Sequence, residues 1–505
     1  MRKIKESLIK NSFYNFLLTF VGRFGGLIFT IVVARLLFPE LFGIYSLALA
    51  IILTIATFTD LGINATLSRY LAESLKELTP KTKQEARARL YFLLNFKIFF
   101  TAITAIALFL LTDFIAINIF KKPLLALPLR IGSVYLFVIS LQGFFSSIFY
   151  ALQKVKFAAI GESIFQFLRI FFVLIFLSIY KNVGVVFVSL TIALFFSFIF
   201  LYSVLYKKYG FLLKGKKVKL EKEEKKRLLS FFGWLTISSI SLAFFVHIDV
   251  FMLGLFLPSE FIGYYNAIFG IVGAVAAFVA FGSVLLPIFT QLEAGKLEKG
   301  FKKVFHYVAL IAIPAAIGLA FVITPAIKII YGQAYVPEQY KLAIVVTSFL
   351  LSLLVAESAL TAIYSALFQA KEMPKIPAVL LIFITILNII LNYIFIKIGI
   401  SIKPEYGLIG VASATLISRY SNLLSLAILA RKKLNIKAES GSLIKPIIGS
   451  LIMLIFLFIF DYFVTMSIAI GLLMVIAAIF IYFLVMLAIG GVKREDIKIM
   501  KLLKS

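Results

Sequence analysis

Nine ionisable residues lie inside long apolar runs of this chain: Arg23, Asp60, Arg130, Glu162, Arg169, His247, Asp249, Glu357 and Arg419. A charge at mid-membrane costs at least about 2.5–3.5 kcal/mol, so each should face the protein interior or a wet cavity. Guanidinium groups suit anions, which they bind through a planar fork of donors. The carboxylates could organise those arginines or carry a coupling ion, H+ or Na+. His247 is the only histidine within a run and hints at proton coupling. Arg23 stands beside Gly22, Gly25 and Gly26, small residues that allow close backbone approach or leave room for a ligand. Glu162 and Arg169 are seven apart on one helix face, beyond the spacing of a direct pair, so each should answer a group on another helix. Arg35, Arg69 and Lys97 fall near run ends, where snorkelling to headgroups is expected. No cysteine, HExxH pattern, carboxylate cluster or Gly-Lys-Ser/Thr loop is present. A metal enzyme and direct ATP hydrolysis are therefore not expected, and no cofactor is called for.

The elements that position these residues follow from composition. Of 505 residues, 62% are hydrophobic and only 15% charged, against roughly 45–50% and 25% in soluble domains. The apolar runs exceed the ten-residue alternating strands of a membrane barrel. The chain is thus read as an all-α integral membrane protein with about 14 transmembrane helices. The expected spans are 12–37, 41–68, 91–117, 124–152, 157–180, 183–206, 229–257, 261–289, 304–327, 340–370, 374–398, 407–430, 443–464 and 466–490. Only Asp461 and its neighbours divide the last two. The first span is too long for a secretory signal. Net charge is +28, which in a soluble protein would raise nucleic acid as a partner. Here 36 Lys and Arg fall on the side of the amino terminus and six on the other, with nine in or at the ends of spans. Such a bias places both termini in the cytoplasm of a cell-membrane protein and excludes a nucleic-acid role. The 207–228 segment carries ten of these cations and is expected to be a solvated connector, with contact to anionic headgroups as its functional option.

Two stretches repeat. Pro39-Glu40-Leu41-Phe42-Gly43-Ile44-Tyr45 and Pro258-Ser259-Glu260-Phe261-Ile262-Gly263-Tyr264-Tyr265 share Glu-x-x-Gly-x-Tyr at an offset of 220. Weaker echoes are Ala151-Leu152-Gln153 with Ala366-Leu367-Phe368-Gln369, and Gly184-Val185 with Gly410-Val411. Six spans separate the copies, so the repeat is parallel. The expected organisation is a six-helix bundle over 1–206, a cytoplasmic linker over 207–228, and a second six-helix bundle over 229–430. Two additional helices and a basic tail follow over 431–505. Two like bundles would enclose a central cavity opened in turn to each face.

The opening stretch resembles a known family. Arg23, Ala34-Arg35 through Tyr45, Asp60-Leu61-Gly62 and Arg69-Tyr70 are similar to the start of the polysaccharide-biosynthesis membrane proteins. These are flippases of lipid-linked oligosaccharides, related to the virulence-factor family and more distantly to the multidrug and toxin extruders. The family pattern has glycine where this chain has Phe38. The resemblance implies translocation of a polyprenyl- or dolichyl-pyrophosphate-linked oligosaccharide to the outer leaflet by alternating access, with no enzymatic step. It implies Arg23, Arg35, Arg169 and Arg419 as contacts to the anionic headgroup. Asp60, Glu162, His247, Asp249 and Glu357 would be coupling or charge-organising groups. The implied partners are the bilayer, the lipid-linked sugar, and polymerase or glycosyltransferase machinery around a monomer. The alternative is a cation-coupled multidrug or organic-cation exporter, usually of twelve spans. A membrane-bound glycosyltransferase would need a polar outer loop or a pair of catalytic acids, which the short outer turns do not offer.

Overall fold

Prolines, glycines and short polar stretches set where this chain breaks. The computed structural model describes residues 2–77, 79–215, 220–279, 289–290, 294–463 and 468–492, while side chains of 2–10, 12, 230–241, 294–296 and 468 are also outside the described set. The tail cations of 493–505, Lys216, Lys217 and Lys219 of the linker, and the end of the expected 261–289 span lie outside these residues.

Helix α1 (Arg2–Asp60) is two crossings joined at a kink, with non-helical Phe38 (φ 59, ψ 170) directly before Pro39. Proline lacks the N–H that would continue the ladder and disfavours helix at the preceding residue. The second arm stops at Asp60, because Leu61 and Gly62 are left-handed (φ 44 and 72), and α2 (Ile63–Ser74) follows. The expected 41–68 span is therefore interrupted mid-way. Next come α3 (Pro80–Asp113), opened by a Thr79 capping box and closed by a π turn over Phe114–Ile119, and α4 (Ala126–Ala151). After them run α5 (Val155–Ile179), α6 (Val183–Lys208), α7 (Lys222–Phe256) and α8 (Ser259–Val279). The remaining helices are α9 (Ala294–Ile330), α10 (Lys341–Ser352), α11 (Leu354–Ala370), α12 (Lys375–Ile402), α13 (Tyr406–Leu434), α14 (Gly441–Phe463) and α15 (Ile468–Ala488). A break in the hydrogen-bond ladder at Leu353, whose φ −63 and ψ −19 stay helical, separates α10 from α11 within the one apolar stretch that covers the expected 340–370 span. Eleven helical stretches among the described residues are long and apolar enough to cross a membrane, the first of them holding both arms of α1. The chain is an all-α, multi-pass membrane protein.

It divides into two compact units, 1–266 and 267–505. Within the first, α7 and the opening turns of α8 group with α1–α6. The repeated motifs meet there: a methyl group added at Gly43 would overlap the Ser259 carbonyl, and one added at Gly263 would overlap the Pro39 carbonyl. Pro39 and Ser259 are themselves 220 apart, so the contact is reciprocal. Lys122 Nζ donates to the Leu257 carbonyl at 2.8 Å, and burial holds this ammonium below the usual lysine range.

The connector is anchored rather than solvated. Leu212, Leu220 and Leu228 are buried in a core with Phe144, Phe149 and Leu205. Arg87 Nε donates to Phe211 O at 3.2 Å and Tyr91 Oη to Leu213 O at 2.7 Å. Arg89 is buried and donates to Tyr70 O, Ser74 Oγ and Glu224 Oε1 at 2.8, 2.7 and 2.6 Å. Apolar residues interleaved with the ten cations give the segment a face to bury.

In the second unit, Asn388 and Asn392 of α12 form a buried polar seam with Ser418 of α13. Helices α14 and α15 pack on one another through Met453, Leu457, Met474 and Met486, and Tyr482 Oη reaches Leu310 O of α9 at 2.8 Å.

Candidate functional site

In the first unit, the glycine stripe of α1 makes room for a polar row on α5. Gly22 faces the Glu162 carboxylate, Gly25 faces the Gln166 amide, and Gly26 lies 3.4 Å, at an added Cβ, from Arg169 Nη2. Residues 162, 166 and 169 repeat at helical spacing and so share one face. Any side chain at Gly25 would collide with Gln166. Glu162 accepts from Gln166 on its own helix, not from another helix as the seven-residue spacing suggests. Gln166 was hidden by its neutrality, although it completes the row begun by Glu162 and Arg169.

The Arg169 guanidinium is part-buried between two rings, 4.6 Å from the Phe29 centroid and 5.0 Å from Phe165. Its Nε and Nη2 are shielded from solvent and have no hydrogen-bond partner among the described residues. Glu162 and the buried hydroxyls of Tyr45 and Tyr135 are near enough to act on it electrostatically. Tyr45 is the tyrosine of the first repeated motif, so that motif supplies site chemistry as well as a close helix contact. Stacking keeps the cation in place while leaving in-plane donors for an anion. Arg23 and Arg35, by contrast, have exposed side chains. Arg23 follows Gly22 in sequence and does not lie in the row that Gly22, Gly25 and Gly26 accommodate.

Asp60 sits at the break between α1 and α2. Its Oδ1 accepts from Lys97 Nζ at 3.0 Å and from the backbone N–H of Asn64 at 3.3 Å. Lys97 is 1% exposed and does not snorkel, because a carboxylate within reach replaces the headgroups as its partner. Beside the pair runs a hydroxyl chain, Thr59–Ser140–Thr101, with 2.9 Å at each link. Thr101 stands one turn after Lys97, so α3 presents a polar seam whose spacing is legible in sequence. Arg130 pairs with Asp113 in an exposed contact.

On α7, part-buried His247 lies 6.4 Å, ring to ring, from Phe251. Asp249 is buried and accepts from Tyr265 Oη at 2.6 Å. Tyr265 is the tyrosine of the second repeated motif, and Asp249 is 220 residues beyond Phe29. The repeat thus pairs Phe29 with Tyr45 and Asp249 with Tyr265 at equivalent places.

In the second unit, Glu357 is 2% exposed in the first turn of α11 and accepts from Thr361 Oγ1 at 2.6 Å. Arg419 Nη1 stands 3.9 Å from Glu357 Oε2, and its guanidinium is 5.9 Å from the Phe269 ring centre. Tyr420 Oη donates to Leu353 O at the break between α10 and α11, at 3.0 Å. Arg169 and Glu162 therefore form one group, Asp60 and Lys97 a second, and Glu357 and Arg419 a third, in the other unit. Among the described residues no cluster of three or more His, Cys, Asp or Glu could hold a metal ion.

A left-handed interruption at Leu61–Gly62 and ionisable side chains on long apolar helices are features of multi-pass membrane proteins built like transporters. Solved structures share the fold. A lipid II flippase, MurJ, in an inward closed conformation matches with a TM-score of 0.75 at 18% identity, over 94% of this chain and 97% of that one. An inward-facing multidrug resistance MATE family transporter matches at 0.61 and 15%, over 82% and 94%. A MOP superfamily transporter from Pyrococcus furiosus, described as having a binding pocket of reverse polarity, matches at 0.54 and 14%, over 85% and 96%. No curated protein matches the sequence. Residues 8–293 match the model of the family described as polysaccharide biosynthesis protein, and the chain belongs to that family.

Proposed function

We propose that this protein is a flippase that carries a polyprenyl- or dolichyl-pyrophosphate-linked oligosaccharide from the cytoplasmic to the outer leaflet by alternating access. The side bearing the 207–228 connector and both termini is cytoplasmic in this reading, following the cation bias of the loops. The observation that carries the proposal is Arg169. A guanidinium within a membrane-spanning helix, stacked on two rings and with two nitrogens that have no acceptor among the described residues, is suited to a phosphate oxygen and poorly suited to an organic cation. Glu162 and Gln166 on the same row offer acceptors and donors for sugar hydroxyls. Family membership supports the same substrate class.

The test is reconstitution into liposomes with a lipid-linked sugar, scored by how much becomes accessible from the opposite leaflet. A charge-assisted hydrogen bond contributes about 1.5–3 kcal/mol, so Arg169→Ala should slow the process roughly 10- to 100-fold. Arg169→Lys should recover part of the loss, since an ammonium lacks the planar fork. Full activity in Arg169→Ala would overturn the assignment. Saturable export of an organic cation that survives Arg169→Ala would favour the exporter instead.

A further inference from the structure

We propose that Lys97 is a tethered counter-ion, its ammonium occupying the place at Asp60 that a mobile monovalent cation would otherwise take. The proposal goes beyond the flippase reading and takes from it only that the chain is a membrane transporter. Asp60 closes the second arm of α1 at two left-handed residues, where one turn of a membrane helix is unwound. Unwound turns of this kind hold cations in transporters, because freed oxygens converge there. The oxygens at this break are of the hard kind that alkali ions prefer. They are the Asp60 carboxylate, the hydroxyl of its neighbour Thr59, which is bonded to Ser140 of α4, and one turn further Asn64 Oδ1, which is buried and has no hydrogen-bond partner among the described residues.

Into this setting α3 inserts an ammonium that is 1% exposed and 3.0 Å from Asp60 Oδ1. A long, flexible stem would otherwise carry that charge to the membrane surface. Holding the buried ammonium inside requires the carboxylate, whereas the Asp60 carboxylate is part-exposed and so is open to a cation from outside once the ammonium is removed. The covalent cation makes the local charge balance independent of sodium. Coupling through Asp60, on this account, is absent from the wild-type protein and is uncovered when the ammonium is removed.

The test uses the purified full chain, with 22Na+ binding and unfolding temperature in NaCl against choline chloride as readouts. Neither needs a lipid-linked sugar, so failure here and failure of the flippase reading are separate results. Wild type and the doubly neutral Asp60→Asn/Lys97→Met variant should bind the same amount of 22Na+. Lys97→Met alone should gain about one saturable site per chain, and NaCl should raise its unfolding temperature by at least about 2 °C. Recovery of Lys97→Met only when NaCl is present would support the proposal equally. A site lost between wild type and the double variant would mean that Asp60 already holds a mobile cation, and the proposal falls. It also falls if Lys97→Met gains no site, or is recovered in neither salt, since no cation then replaces the ammonium.

Discussion

Replacing Phe38 by glycine should stabilise this protein, although it deletes a large apolar side chain. Phe38 has φ 59 and ψ 170, a region of backbone space open essentially to glycine alone. A side-chain-bearing residue there stores on the order of 1–3 kcal/mol. The ring is 56% exposed, so its removal forfeits little internal packing. Apolar contact with lipid tails gives it no hydrophobic drive in a bilayer. Glycine adds chain entropy to the unfolded state, which offsets about 0.5–1 kcal/mol. The net expectation is a gain of up to about 2.5 kcal/mol for Phe38→Gly, centred near 1 kcal/mol. Phe38→Ala keeps the Cβ that causes the strain and should change stability by less than about 0.5 kcal/mol. Equilibrium unfolding in mixed micelles with increasing dodecyl sulfate compares the two variants directly. If the alanine variant equals or exceeds the glycine variant, backbone strain at the kink is not what separates them and the argument is wrong.

Arg89→Met should loosen the connector on α3. It strips partners from Glu224, Tyr70 O and Ser74 Oγ, and with Glu224 part-exposed the cost is about 1–3 kcal/mol. Trypsin should then cut within 207–228 several times faster, and adding Glu224→Gln should recover part of the protection; unchanged cleavage would mean that the buried leucines alone anchor the segment. Gly43→Ala and Gly263→Ala should each cost about 1–3 kcal/mol, because either methyl overlaps a backbone carbonyl on the opposite motif. Once one contact has opened the other is relieved, so the double variant should cost less than the sum in a thermal unfolding series; strict additivity would rule out a shared contact.

The helical membrane class, the span order and the close contact at Glu-x-x-Gly-x-Tyr were legible because each rests on run length or on small residues at a fixed offset. The glycines at 22, 25 and 26 were legible as a place of close approach, but what approached was not. A three-residue stripe states the space available, whereas the occupant depends on how α5 is rotated. The interruptions at Leu61–Gly62 and Leu353 are not legible, since one or two residues out of the helical ladder leave mean hydropathy almost unchanged. Lys97 departs from the snorkelling expectation for a related reason: nearness to a span end is a property of the chain, while its partner Asp60 comes from another helix. Charge counting misses how the connector is anchored, because it passes over the three buried leucines among ten cations.

Both units set a carboxylate beside a helix break and answer it with a cation from another helix, and the two answers differ in kind. At Asp60 the partner is an ammonium, a compact charge that one carboxylate oxygen at 3.0 Å can satisfy. At Glu357, Thr361 supplies the close donor and the Arg419 guanidinium stands off at 3.9 Å. Arg169 goes one step further: its carboxylate neighbour Glu162 takes its hydrogen bond from Gln166, and the guanidinium is held by rings instead. A cation closed into a pair contributes to folding and offers little to a ligand. One that is stacked on rings, with Nε and Nη2 buried and short of acceptors, carries a desolvation cost that an incoming anion would remove. That difference, rather than burial alone, is the physical reason to assign the anionic headgroup to Arg169 and not to the more fully buried Lys97.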